Sequence, residues 1–200
     1  MDSVDALLEE CAALHGHICP GQLLGVRMAL LGCELLGVAD PKGVDRKRLI
    51  VWVEIDRCMT DAISAVTGVR LGRRTLKFLD YGKVAATFHD PVDGRAFRVV
   101  ALDSSRTLAD ARFPEISSKK ERQMKAYREA DNSELFKVQE VRVNYSASEE
   151  PGRPTSRVSC GMCDEGINDA REMTDTAGLI LCKSCAGGGY YNLIGDRTAI

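Results

Sequence analysis

A chain of 200 residues, 44% hydrophobic and 28% charged, is long enough for one domain with its own core and a small appended module. Lys and Arg number 27 against 29 Asp and Glu, a formal net charge of −2, so no general cation excess draws the chain to nucleic acid or to an anionic membrane. No apolar run reaches spanning length, and the opening MDSVDALLEE is acidic where a secretory leader is basic, which sets the expectation of a cytoplasmic protein.

Val4, Leu7, Leu8, Cys11, Leu14 and His15 recur at helical spacing, with Ser3 as N-cap and Gly16 as terminator. A second helix starts at Pro20, whose missing N–H costs nothing in a first turn. It runs apolar on nearly all sides to Gly37, apart from a stripe with Arg27 and Glu34, and is therefore expected at the centre of the fold. LIVWVEIDRC alternates as a strand, which would set Trp52, Glu54, Asp56 and Cys58 on one face and Val51, Val53 and Ile55 on the other. MTDAISAVTG reads as a short helix closed by Gly68, and LKFLDYGKVAATFHD as strand structure turning near Tyr81 and Gly82. AFRVVAL is a further strand, residues 117–130 a basic helix, and QEVRVNY a closing strand. No internal repeat is present. The composition of SASEEPGRPTS marks a linker, so the expected organisation is an α+β domain over 1–150, with a mixed or antiparallel sheet and packed helices, and a small module over 151–200.

Eight cysteines in a reducing compartment call for metal, catalysis or burial rather than disulfides. Cys11 and Cys33 fall in apolar helical patterns and read as core. Cys160 and Cys163, then eighteen residues, then Cys182 and Cys185 have the paired-knuckle spacing of a zinc ribbon. Two CxxC turns close a four-thiolate shell, which makes the expected zinc structural; iron fits the same ligands. The Gly after the first Cys, Ile167 with Arg171, and the second CxxC resemble the DksA/TraR type of zinc finger, whose members contact RNA polymerase. Four Lys and Arg against six Asp and Glu from Arg157 onward favour a protein partner over DNA.

The run HGHICPG, residues 15–21, concentrates ligand chemistry. With Pro20 opening a helix, Cys19 takes the N-cap, where the helix dipole favours a thiolate. His15 and His17 can turn toward it, and Cys58 opens another helix with Asp61 one turn in. These five are the candidate ligands of a second, open site for a divalent ion, expected to be zinc, with room for water or substrate. His17, Cys19, Cys58, Asp61 and Lys83 are the candidate catalytic groups, Lys83 because the Tyr81-Gly82 turn can deliver a cation. Glu54 and Asp56 read equally as support for the ligands, as ion-pair members or as solvated strand residues. His89, at a strand end, reads more simply as a surface histidine than as a ligand, and the basic helix as a solvated face.

HGHICPGQLLGVRMALLG followed by EIDRCMTDAISAVTGVRLGRRTLKFLDYGKVAATF resembles the FmdE family, a domain associated with formylmethanofuran dehydrogenase, over about residues 10–145. The resemblance implies an α+β fold, a metal-binding first domain, a homodimer and a link to the molybdenum or tungsten enzyme that reduces CO2 onto methanofuran. The chain has no iron–sulfur or pterin segment of its own, which points to an accessory or ligand-binding subunit of such an oxidoreductase. The alternatives are a metal carrier or sensor, and a regulator whose ribbon docks on a protein such as RNA polymerase.

Overall fold

The computed structural model describes residues 3–192 and 194–195 and divides the chain into two compact units, one up to Asn144 and one from Tyr145. The first is α+β. Helix α1, Val4–His15, starts on a Ser3 side chain that accepts from the Ala6 amide and ends on left-handed Gly16, whose N–H returns to Ala12 O at 2.8 Å. Helix α2, Pro20–Leu36, follows after four residues and is buried along most of its length. Strand β1, Ile50–Val53, leads to α3, Cys58–Thr67, which Gly68 closes. Then come β2 (Leu76–Phe78), β3 (Ala85–His89), β4 (Ala96–Ala101), α4 (Ser104–Arg112), α5 (Lys119–Glu129), α6 (Asn132–Leu135) and β5 (Phe136–Glu140).

These strands form one mixed sheet in the order β2-β1-β3-β4-β5, with β1 and β2 parallel and the other pairs antiparallel. Alternation puts Val51, Val53, Ala86, Phe88 and Val99 on the face beneath the helices, where all are buried in the main core. The opposite face carries Trp52, Thr87 and Arg98 in register. Arg98 Nε and Nη2 clasp Glu54 at 2.6 and 2.7 Å, so Glu54 belongs to a largely buried ion pair.

Several expectations are corrected by the fold. Strand β1 ends at Val53, because Glu54 O turns aside to accept the amides of Tyr81 and Lys83 at 3.2 and 3.1 Å. Asp56 is exposed and Cys58 starts a helix, so the carboxylates and the thiol share no strand face. Strands β2 and β3 make no hairpin; they flank β1, and the Tyr81-Gly82 loop crosses its end. The closing strand begins at Phe136, before the QEVRVNY stretch, and helix α4 lies in a stretch with little apolar periodicity. His89 is buried, its Nδ1 3.1 Å from Arg95 O, and is no surface residue.

Helix α2 organises the unit, packing on α1, α3, α5 and the sheet. Arg27 reaches across to the carbonyls of Tyr127 and Ala130 at 2.7 and 2.5 Å and to Asn132 Oδ1 at 2.8 Å, satisfying the open end of α5. At Gly25 the backbones of α2 and α3 meet: a Cβ there would lie 2.7 Å from both Met59 O and Ala62 Cβ. Gly25→Ala gains helix propensity yet pushes α3 away, so it is expected to destabilise the unit by about 1–3 kcal/mol and lower Tm by about 3–10 °C in a thermal melt.

The second unit is small. Strands β6 (Arg157–Ser159) and β7 (Gly166–Asn168) pair antiparallel, as do β8 (Met173–Thr174) and β9 (Ile180–Leu181). Its core is Cys160, Ile167 and Leu181, with Val158, Cys182 and Cys185 packed against them. The linker expected over 146–156 lies within this unit and holds a short 3-10 turn, Ala147–Glu149. Among the described residues no helix is long and apolar enough to cross a membrane.

Candidate metal centres

In the second unit the four sulfurs of Cys160, Cys163, Cys182 and Cys185 all lie within 4.8 Å of one another. Left-handed Asp164 tightens the first knuckle, its amide donating to Cys160 O at 2.9 Å while the Cys160 amide donates to Glu165 O at 3.0 Å. The Gly161 amide donates to Ile180 O at 2.8 Å and ties this knuckle to the strand that leads into the other. The Cys182 amide donates to Cys160 Sγ at 3.3 Å and the Cys185 amide to Cys182 Sγ at 3.4 Å. Amides of Cys163, Cys182 and Met162 hold the Cys160 thiol down at about 6, and its neighbour Cys182 first among causes pushes Cys185 up to about 12. The set is able to bind one metal ion through four sulfurs, which leaves no open position.

The first unit builds a different group. Gly16 stops α1 just after His15, three residues cross to Pro20, and α2 leaves from Cys19, so both histidines and the thiol fall on one short turn. The ligand atoms of His15, His17 and Cys19 lie within 4.8 Å of one another, with the two imidazole centroids 4.8 Å apart. A tetrahedral ion with bonds of about 2.0–2.3 Å holds its ligands about 3.5 Å apart, so small rotations of these side chains meet that requirement. Asp61 Oδ2 sits 2.8 Å from His15 Nδ1. With Nδ1–H donated to the carboxylate, His15 presents Nε2 as the ligand atom, the usual role of a carboxylate behind a metal-binding histidine. Asp61 thus stands behind His15 rather than in the three-ligand group.

Cys58 faces Cys19 across Gly21, where a Cβ would lie 3.8 Å from each sulfur. Burial first, then the contact with Cys19, raises the Cys58 thiol above its ordinary range. Cys11 and Cys33, by contrast, are core thiols that burial pushes up to about 11 and about 12. Lys83 is exposed with Nζ 5.9 Å from the Tyr81 ring centroid, and no described contact carries it to the cluster. His15, Cys58 and Asp61 line a pocket of about 420 Å³ that also holds exposed Asp56. Its apolar wall, Leu71, Leu76 and Phe78, has no signal in the sequence, since those residues enter from β2 and the turn before it. Asp61→Ala is expected to weaken metal binding at this site by about 10–100-fold without unfolding an exposed helix turn, measured by competition with a chromophoric chelator.

A family profile described as "FmdE, Molybdenum formylmethanofuran dehydrogenase operon" matches residues 14–150. The chain belongs to the FmdE family. The match begins at the last two residues of α1, takes in the whole HGHICPG turn and covers every strand of the mixed sheet. The crystal structure of a tungsten formylmethanofuran dehydrogenase FmdE-like protein from Syntrophus aciditrophicus aligns with TM-score 0.65 and 26% identity, covering 96% of each chain. The chain is also 39% identical over 94 residues to an Archaeoglobus fulgidus protein named "Probable S-adenosyl-L-methionine-binding protein", a match covering 46% of this chain and 26% of that one. It therefore spans about a quarter of that relative's length.

Proposed function

We propose that this FmdE chain is a cytoplasmic, homodimeric metalloprotein that serves formylmethanofuran dehydrogenase-type one-carbon redox metabolism as an accessory, ligand-binding subunit. Its second unit is a zinc ribbon with a structural ion. Its first unit holds a second divalent ion, zinc, on His15, His17 and Cys19, with Cys58 beside them and the remaining position open to a small molecule. The observation that carries this reading is the convergence of two imidazoles and a thiol on one turn, with Asp61 behind His15 and a pocket at their side. Such an ion polarises a bound oxygen or lowers the pKa of bound water. The chain's own part is to orient His15 through Asp61 and to offer the pocket.

Cobalt(II) substitution of the full chain tests the open position. Added azide or formate is expected to change the visible absorption of the His/Cys-bound cobalt, a response absent from Cys19→Ser, whose remaining cobalt is enclosed by four thiolates. Unchanged absorption in the wild type would count against an open site. A carrier differs kinetically: it surrenders the first-unit ion to a chelator within seconds, whereas a resident ion is held.

A second reading rests on the exposed apolar side chains around the cysteine knuckles, Met162, Leu179 and Ile180, with Tyr190 and Tyr191 beyond them. In it the ribbon docks on a protein partner such as RNA polymerase. Copurification of polymerase with the full chain, lost in Met162→Asp, supports this reading, and equal recovery with both chains removes it.

A further inference from the structure

Arg57 and Cys58 also line a second cavity of about 320 Å³ among α2, α3, α4 and α5, which His15 does not line. Its walls are apolar, chiefly Leu24, Met59 and Tyr127, and its charged groups are all cations: Arg57 before α3, Arg106 on α4 and Lys119 at the start of α5. No carboxylate lines it. None of the three cations makes an ion pair or a side-chain hydrogen bond among the described residues. Elsewhere in the unit Arg48 is paired with Asp90, Arg98 with Glu54, Arg112 with Glu134, Arg122 with Asp110 and Arg128 with Asp5, while exposed Arg46, Arg73 and Arg142 line no such cavity. What distinguishes Arg57, Arg106 and Lys119 is that they converge on one concave apolar site with no carboxylate among its lining residues.

The surrounding backbone has the same sign. Helices α2 and α3 both start at this cavity, through Gly21 and Cys58, and neither has a side chain capping its first turn. The acidic residue of α3's first turn, Asp61, is engaged with His15 and lines the other pocket. A cavity walled by hydrocarbon and rimmed by uncompensated positive charge recognises a molecule with an apolar body and an anionic head.

We propose that this cavity binds a small organic anion, a carboxylate or phosphate on an apolar body, whose head engages Arg57, Arg106 and Lys119. Cys58 lines both cavities, so the ligand lies against the proposed metal site, and the inference names the ligand class of that site. It rests on the metal reading only for that adjacency, because the cavity is built without any of His15, His17 or Cys19.

The test is calorimetry and amide NMR on the full chain, with metal content measured on the same samples. The probes are heptanoate, hexyl phosphate and, as the opposite charge on a similar body, heptylamine. One or both acids are expected to bind and shift the amides of Gly21, Met59 and Gln123, with the tighter one naming the head group. Arg57→Gln, Arg106→Gln and Lys119→Gln are each expected to weaken it about tenfold or more, as loss of a charged hydrogen bond does. All three side chains are exposed, so these variants keep the fold. Heptylamine binding as well as the acids, binding unchanged in all three variants, or no shift with either acid at 10 mM would each overturn the proposal. A metal-free sample that binds heptanoate keeps the cavity and discards the metal reading. A metal-loaded sample that binds neither acid does the reverse.

Discussion

Cys160→Ser is expected to strip the metal from the second unit and leave residues 157–185 unfolded, while the first unit keeps its fold. Among the described residues the unit's buried apolar core is three side chains, one of them Cys160 itself, which is too little to offset the conformational entropy of some fifty residues. A structural ion in such a module contributes about 10–16 kcal/mol of apparent binding free energy, which is folding free energy here. Cys160 also accepts the Cys182 amide and so connects the two knuckles. Amide NMR reads the outcome: peaks from the second unit collapse to unfolded positions and those from the first stay. Cys33→Ala is the control, because that thiol is buried in the other unit and its loss leaves metal content unchanged.

Cys19→Ser is expected to empty the first-unit site without unfolding it. The Cys19 side chain makes no capping bond, Pro20 and Gly21 set the turn without it, and it is only half-buried. Losing a thiolate that binds the ion directly costs more than the roughly 10–100-fold that follows from losing an outer partner such as Asp61. The ion should therefore be absent after purification, with Tm falling only by the stabilisation the ion supplied. A Cys19→Ser chain that retains this ion would reassign the site to Cys58 and the histidines.

Features with local causes are the ones legible in the sequence. Ser3, Gly16, Pro20, Gly37 and Gly68 each act within one helical turn, and they delimit α1, α2 and α3 where expected. The cysteine spacing of the second unit is equally local. What failed was non-local. Alternation continues through Asp56 and Cys58 in sequence, but β1 stops because the loop after β2 takes the Glu54 carbonyl, a partner more than twenty-five residues away. The parallel pairing of β2 with β1 likewise depends on α3 crossing between them, which no turn residue announces. Asp61 is visible as a companion of HGHICPG, but its place on His15 Nδ1 follows from the packing of α3 on α1. Arg57, Arg106 and Lys119 come from three separate segments and form no motif; only the fold makes them one rim.

The most direct test of the two-metal reading is metal content by mass spectrometry on full-length protein purified without added metal, comparing wild type, Cys19→Ser and Cys160→Ser. About two ions per wild-type chain and about one in each variant are expected, with Cys19→Ser keeping the ribbon's ion and Cys160→Ser the other. A wild type with about one ion, all of it retained in Cys19→Ser and lost in Cys160→Ser, would contradict that reading and leave the HGHICPG turn without a metal.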